Sequence, residues 1–243
     1  MKHFRLALSF LTIIPVREIE DYSDSMWAEG VLYYPICGYI IAFITVFPVF
    51  LLSCFLNTDP LLLSIITVAL LALVTGALHL DGVSDLCDGF FCPVDSKKRR
   101  IEIMHDSRVG SFGVVGLVIL LLIKFASLSV IFKAGNFLEV AAVIIIARFF
   151  IVLLAMISVY PEENGIGKFV IGKISGENLL WSFLVILPCL FCVKPLIVAI
   201  ILLFVVLLLK HVSNKLIGGV TGDVLGACCE ICETLGFLIL AIS

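Results

Sequence analysis

Apolar residues in this chain run nearly unbroken in stretches of about 15 to 26 residues. That feature decides the fold class before any other. A soluble core cannot bury so much continuous apolar surface, and 62% of the 243 residues are hydrophobic against 14% charged, where a soluble domain carries about 25% charged. Barrel strands alternate apolar and polar positions over about ten residues. These runs do not alternate, so the expectation is an all-α, polytopic membrane helix bundle. The runs fall at about 31–56, 61–80, 109–132, 138–159, 179–193, 195–209 and 224–242, which gives seven expected spans in one catalytic domain over 1–243. The opening MKHFRLALSFLTIIPV is too short to span and lacks a small-x-small cleavage site, so a retained interfacial or re-entrant helix is expected there.

Charge fixes the expected orientation. The net charge of −3 says little, but 81–108 holds six acidic and five basic residues, with the run Lys97-Lys98-Arg99-Arg100 among them. The positive-inside rule puts this stretch in the cytoplasm. Alternation brings 17–30, 160–178 and 210–223 to the same side if 179–209 is a hairpin of two crossings. The nine cysteines, several of them deep in apolar runs, read as reduced thiols. No basic stripe with interleaved aromatics points to nucleic acid. Homo-oligomerisation is left open.

The chemistry gathers where spans end. In HLDGVSDLCDGF, Asp81, Asp85 and Asp88 stand at i, i+4 and i+7 and share one narrow helix face. Like charges at that spacing destabilise a helix, and a divalent cation would relieve them. An all-carboxylate set suits Mg²⁺, which also takes substrate phosphates as ligands. His79 is a candidate general base towards a hydroxyl. In IMHDSRVGSFG, Arg108 can fork onto a phosphate while Asp106 ligates metal or orients the arginine, and Gly110 and Gly113 leave amides open at a helix start. Arg148, near the middle of a span, should face the bundle interior and meet an anionic ligand, an aspartate or a structural partner. Lys124 is expected to snorkel outward. In IGGVTGDVLGACCEICE, glycines including Gly222 surround Asp223, and Glu230 follows on the same face. Two acidic faces meeting around one or two metal ions would support phosphoryl transfer from a pyrophosphate to a hydroxyl. The residues alone do not name the substrate.

HLDGVSDLCDGF followed by IMHDSRVGSFG resembles the cobalamin synthase family, the adenosylcobinamide-GDP ribazoletransferases, as do FLTIIPV, YPICG, ENGIGK and GGVTGDVLGA in the same order along the chain. The resemblance implies transfer of cobinamide phosphate from adenosylcobinamide-GDP to the 5′-hydroxyl of α-ribazole or its 5′-phosphate, with release of GMP. It also implies Mg²⁺ dependence and a multi-pass place in the cell inner membrane, late in cobalamin biosynthesis. Carried over by position, Asp81, Asp85, Asp88, Asp106, Arg108 and Asp223 are its motif residues, and Lys168 of ENGIGK joins the phosphate-facing set. His105 stands where a lysine is common, Cys87 where a small residue is usual, and Pro161-Glu162 replaces a more basic lead-in. Two other readings compete. Asp85 to Gly89 matches the beginning of the CDP-alcohol phosphotransferase signature, but Phe90-Phe91 follows where that family has Ala-Arg. A metal or organic-ion transporter would place acids mid-membrane within inverted repeats.

Overall fold

The computed structural model describes residues 1–17 and 23–243. Among these, regular structure is helical throughout: α1 Lys2–Leu11, α2 Ser25–Gly30, α3 Tyr34–Leu56, α4 Pro60–Val74, α5 Leu78–Phe91, α6 Lys97–Met104, α7 Ser111–Lys133, α8 Phe137–Ile157, α9 Gly176–Leu190, α10 Val193–Leu216 and α11 Gly222–Ile242. The expected loop 17–30 holds α2 at its end, and its residues 18–22 lie outside the described residues.

Five stretches are long and apolar enough to cross a membrane: Ser25–Leu56, Ser111–Lys133, Phe137–Ile157, Lys194–Leu216 and Gly222–Ile242. A sixth arises if α4 and α5 count as one bent span. The protein is therefore a multi-pass membrane protein with fewer full-length spans than the seven expected. Two departures explain the difference. The expected run 61–80 ends at Val74, where the chain bends by 90° into α5. The expected hairpin 179–209 becomes a 15-residue α9 and a 24-residue α10 that reaches Leu216 and shortens the following loop.

The helix boundaries follow local chemistry. The Asp59 carboxylate accepts the Leu61 amide at 2.7 Å, with Pro60 opening α4. Ser96, Ser175 and Thr221 cap α6, α9 and α11 in the same manner. Gly135, at φ 77°, turns α7 into α8. Apart from Glu139 in its first turn and Arg148 at its middle, helix α8 is apolar all round and packs against α3, α9, α10 and α11, so it forms the centre of the bundle.

The break between α4 and α5 positions everything that follows. Gly76 and Ala77 both take left-handed backbone angles, φ 59° and 57°. For alanine that conformation costs roughly 1–2 kcal/mol. The stretch that follows α1 braces the bend. The Ile13 amide donates to the Val74 carbonyl at 2.8 Å, and the Ile13 side chain lies where a Cβ at Gly76 would stand. From this bend α5 packs against both α7 and α11.

Candidate active site

Glycines let α5 approach the starts of two helices. A Cβ at Gly82 would lie 2.6 Å from the Asp223 carbonyl oxygen and 3.2 Å from its Cα, so a side chain there would push α11 away. The contact brings the face of Asp81 and Asp85 to the first turn of α11, where Asp223 stands. Asp85 is partly buried and feels the charges of Asp81, Asp223 and Asp88 together. The Thr221 hydroxyl donates to Asp223 at 3.4 Å while its oxygen accepts the Val224 amide.

Asp88 meets the other helix. Its Oδ2 accepts the Gly110 amide at 2.7 Å and its Oδ1 accepts the Gly113 amide at 2.9 Å. The two amides expected to face a phosphate are thus taken by this buried carboxylate, which caps α7 from a neighbouring helix. Asp88 serves here as the link between α5 and α7, and a Cβ at either glycine would strike its carboxylate.

Asp106 and Arg108 form a fork. Arg108 Nε donates to Asp106 Oδ1 at 3.0 Å and Nη2 to Oδ2 at 2.7 Å, and the Arg108 amide also bonds Oδ1. These bonds hold the exposed Asp106 carboxyl down at about 2. Asp106 orients Arg108. Together with Asp88, Gly110, Ser111, Ile103 and Phe112 they line an open cleft of about 400 Å³.

The loop before α9 closes the far side. The Val220 amide donates to the Val159 carbonyl at 2.9 Å, and Gly219 packs on that same carbonyl. Lys97 donates to the Asn214 carbonyl at 3.3 Å. These contacts put the segments 92–110, 158–175 and 217–221 at one end of the bundle. His105 Nε2 lies 3.6 Å from Glu162 Oε2, and His105 is also an electrostatic neighbour of Asp223. Burial and the neighbouring Glu162 charge push the Tyr160 hydroxyl up to about 12, and it donates to the Asn164 carbonyl. Sequence reasoning missed Tyr160, and took His105 and Glu162 only as departures from a motif, because nothing in their spacing announces a shared site. Lys168 rests over its neighbour Phe169, 5.0 Å from the ring centroid, and a side chain at Gly222 would meet open space.

Two expected site residues lie elsewhere. His79 is buried where α5 crosses Gly226, and its electrostatic neighbours are Arg148, Glu233 and Lys124. It does not face the cleft as a base for a hydroxyl. Arg148 is fully buried and bonds Glu233 and the Ile144 carbonyl. The phosphate contact expected of it gives way to this pairing, because no surface of the side chain is open. Lys124 does not snorkel. It is 2% exposed and donates to Glu230 at 2.5 Å and to Glu233 at 2.7 Å, so Glu230 faces a lysine and no metal site.

Among the described residues, no group of three or more His, Cys, Asp or Glu side chains stands close enough to cage a metal ion. Mg²⁺ does not need such a cage, since it is commonly held by one or two carboxylates, water and substrate phosphates. The oxygen-only set of Asp81, Asp85 and Asp223, crowded with like charge, fits that chemistry.

Comparison with known proteins adds an independent line. The family model described as cobalamin-5-phosphate synthase matches residues 3–241. A Syntrophobacter fumaroxidans protein named adenosylcobinamide-GDP ribazoletransferase is 36% identical over 239 residues, covering 96% of this chain and 95% of its own. Proteins of the same name from Acinetobacter baumannii and Clostridioides difficile are 34% and 31% identical, covering 97% and 96% of this chain and 95% and 94% of their own. No solved structure matches.

Proposed function

This chain belongs to the cobalamin-5-phosphate synthase family, a transferase family of cobalamin biosynthesis, and we propose that it moves the cobinamide phosphate of adenosylcobinamide-GDP onto the 5′-hydroxyl of α-ribazole or its 5′-phosphate. The hydroxyl oxygen attacks the cobinamide-bound phosphorus. A new P–O bond forms, the bond from that phosphorus to the bridging oxygen breaks, GMP leaves with that oxygen, and the hydroxyl proton passes through water to the departing phosphate or to solvent. In such transfers positioning and charge neutralisation do most of the work.

The observation that carries this reading is the approach of Asp81 and Asp85 to Asp223 across Gly82. One or two carboxylates of this set, together with substrate phosphates, are the candidates to hold Mg²⁺, which when bound supplies positive charge to the pyrophosphate and the departing GMP. Arg108, aimed by Asp106, offers its free guanidinium edge to non-bridging oxygens at the mouth of the cleft. Gly222 and Lys168 complete the phosphate-facing set. Asp88 keeps α5 seated on α7.

The site end of the bundle carries Lys97, Lys98, Arg99, Arg100, Arg108, Lys168 and Lys173, which supports a cytoplasmic face and a place in the inner membrane. The CDP-alcohol and transporter readings are not favoured. The purified full chain with Mg²⁺ should release GMP from adenosylcobinamide-GDP only when α-ribazole or its 5′-phosphate is supplied. Release that instead needs a lipid alcohol and a CDP-linked substrate would overturn the assignment.

A further inference from the structure

Four charged side chains meet in the apolar interior, away from the cleft. Lys124 of α7 bonds both Glu230 and Glu233 of α11, and Arg148 of α8 bonds Glu233. All four are 5% exposed or less. Two cations face two anions, so the group is neutral. Charges at this depth are rare and must find partners, because hydrocarbon offers no water to replace a lost one.

The placement of this cluster relative to the site is specific. On α11, Glu230 follows Asp223 by seven residues, within about 20° of the same face and about 10 Å deeper. On α7, Lys124 follows Gly113 by eleven residues, again within about 20° of one face and about 16 Å deeper. Gly113 is the residue whose amide Asp88 accepts. So the stripes of α7 and α11 that receive α5 at the membrane boundary are the stripes that carry the ion pairs below it. His79, at the start of α5, lies between the two levels and feels three of the four charges. Most of the rest of α7 is leucine, isoleucine, valine and phenylalanine, with small residues such as Gly116, Ala126 and Ser127 among them, and Lys124 is its one charged side chain before Lys133 at the far end. A slip of one turn, about 5.4 Å, would tear Glu230 and Glu233 from their cations.

We propose that Lys124, Arg148, Glu230 and Glu233 are positioning residues for the transfer reaction: their ion pairs fix the axial register of α11 against α7 and α8, and so hold Asp223 against Asp81 and Asp85. The proposal rests on the metal site described under Proposed function.

The test uses the purified full chain. Lys124→Met is compared with the exchange of Lys124→Glu together with Glu230→Lys, which keeps the charge count and the 124–230 pair between α7 and α11 and leaves Glu233 to Arg148 and the new lysine. Mn²⁺ binding is read by electron paramagnetic resonance, and turnover is read per folded molecule. Lys124→Met should weaken Mn²⁺ binding and raise the half-saturating Mg²⁺ concentration at least about tenfold, while KM for adenosylcobinamide-GDP at saturating Mg²⁺ stays within about twofold. The exchange should recover most of the loss. A purely structural role would lower the folded yield and leave the metal affinity of folded molecules untouched, and that result overturns the proposal. If Lys124→Met is not recovered folded, Glu230→Gln, which keeps shape and one hydrogen bond, takes its place under the same criteria. A wild type that transfers without taking up Mn²⁺ would defeat the metal reading alone. The ion pairs would then be judged on turnover, with loss in the single variant and recovery in the exchange as support, and no loss as refutation.

Discussion

Asp88 caps a helix to which it does not belong: its carboxylate, on α5, accepts the amide of Gly110 at the start of α7 at 2.7 Å. The Gly113 amide occupies its other oxygen. One side chain therefore fastens the acid-bearing helix to its neighbour and satisfies two amides that would otherwise lack partners.

Asp88→Ala should destabilise the fold by about 1–3 kcal/mol, the cost of leaving such donors unsatisfied. Asp88→Asn keeps one acceptor oxygen and should lose less. Thermal unfolding in detergent, read beside GMP release, checks the order. Equal stability of wild type and Asp88→Ala would show that the cap contributes nothing.

Gly82→Ala should cut turnover sharply, because its Cβ would stand 2.6 Å from the Asp223 carbonyl and part α5 from α11. Overpacking of this kind costs typically 1–3 kcal/mol. Gly176→Ala, where a Cβ meets open space at the start of α9, is the control and should change nothing. An active Gly82→Ala enzyme would break the link between this approach and catalysis.

Asp85→Asn should lower turnover by at least the roughly 10–100-fold that follows from disturbing the surroundings of a catalytic metal. The protein should stay folded, since the change removes charge from a spot crowded with carboxylates. Near-normal activity would remove Asp85 from the metal-holding set.

The Asp106 carboxyl is held at about 2, so its bond to Arg108 is present above that value and is lost only as pH falls through it. No inflection in a turnover profile across roughly pH 5–9 should come from Asp106. Asp106→Asn should therefore leave the profile's shape unchanged while raising KM for adenosylcobinamide-GDP, as Arg108 loses its guide. A profile whose inflection moves in Asp106→Asn would contradict this.

Asp95→Cys and Asn214→Cys, each in a background with the exposed Cys54 and Cys192 replaced by serine, should label with an impermeant reagent from one membrane face. Labelling from opposite faces would refute the shared end inferred from the bonds between Lys97 and Asn214 and between Val220 and Val159.

Much of this was legible in the sequence. Unbroken apolar runs announce membrane helices because hydrocarbon leaves no other solution, and the spacing of Asp81, Asp85 and Asp88 places them on one face of what proves to be α5. The bend at 75–77 was not legible, since Thr-Gly-Ala inside an apolar run reads as continuing helix, and the left-handed Ala77 departs from its own propensity. The ion pairs were visible as single residues only. Lys124 and Arg148 lie 109 and 85 residues from Glu233 in the chain, and no local pattern joins them. The fate of Asp88 was hidden for the same reason: its partners belong to another helix, and spacing cannot tell a carboxylate that waits for a cation from one already engaged by amides.

The amide of Ile13 closing on the Val74 carbonyl makes the amino-terminal stretch part of the elbow that aims α5. A deletion of residues 1–12, or a bulky fusion that tugs on them, would act on chemistry carried far along the chain, through the Ile13 amide and side chain at the bend. Tolerance to trimming, usually judged from the outside of a protein inwards, is here set by a hinge.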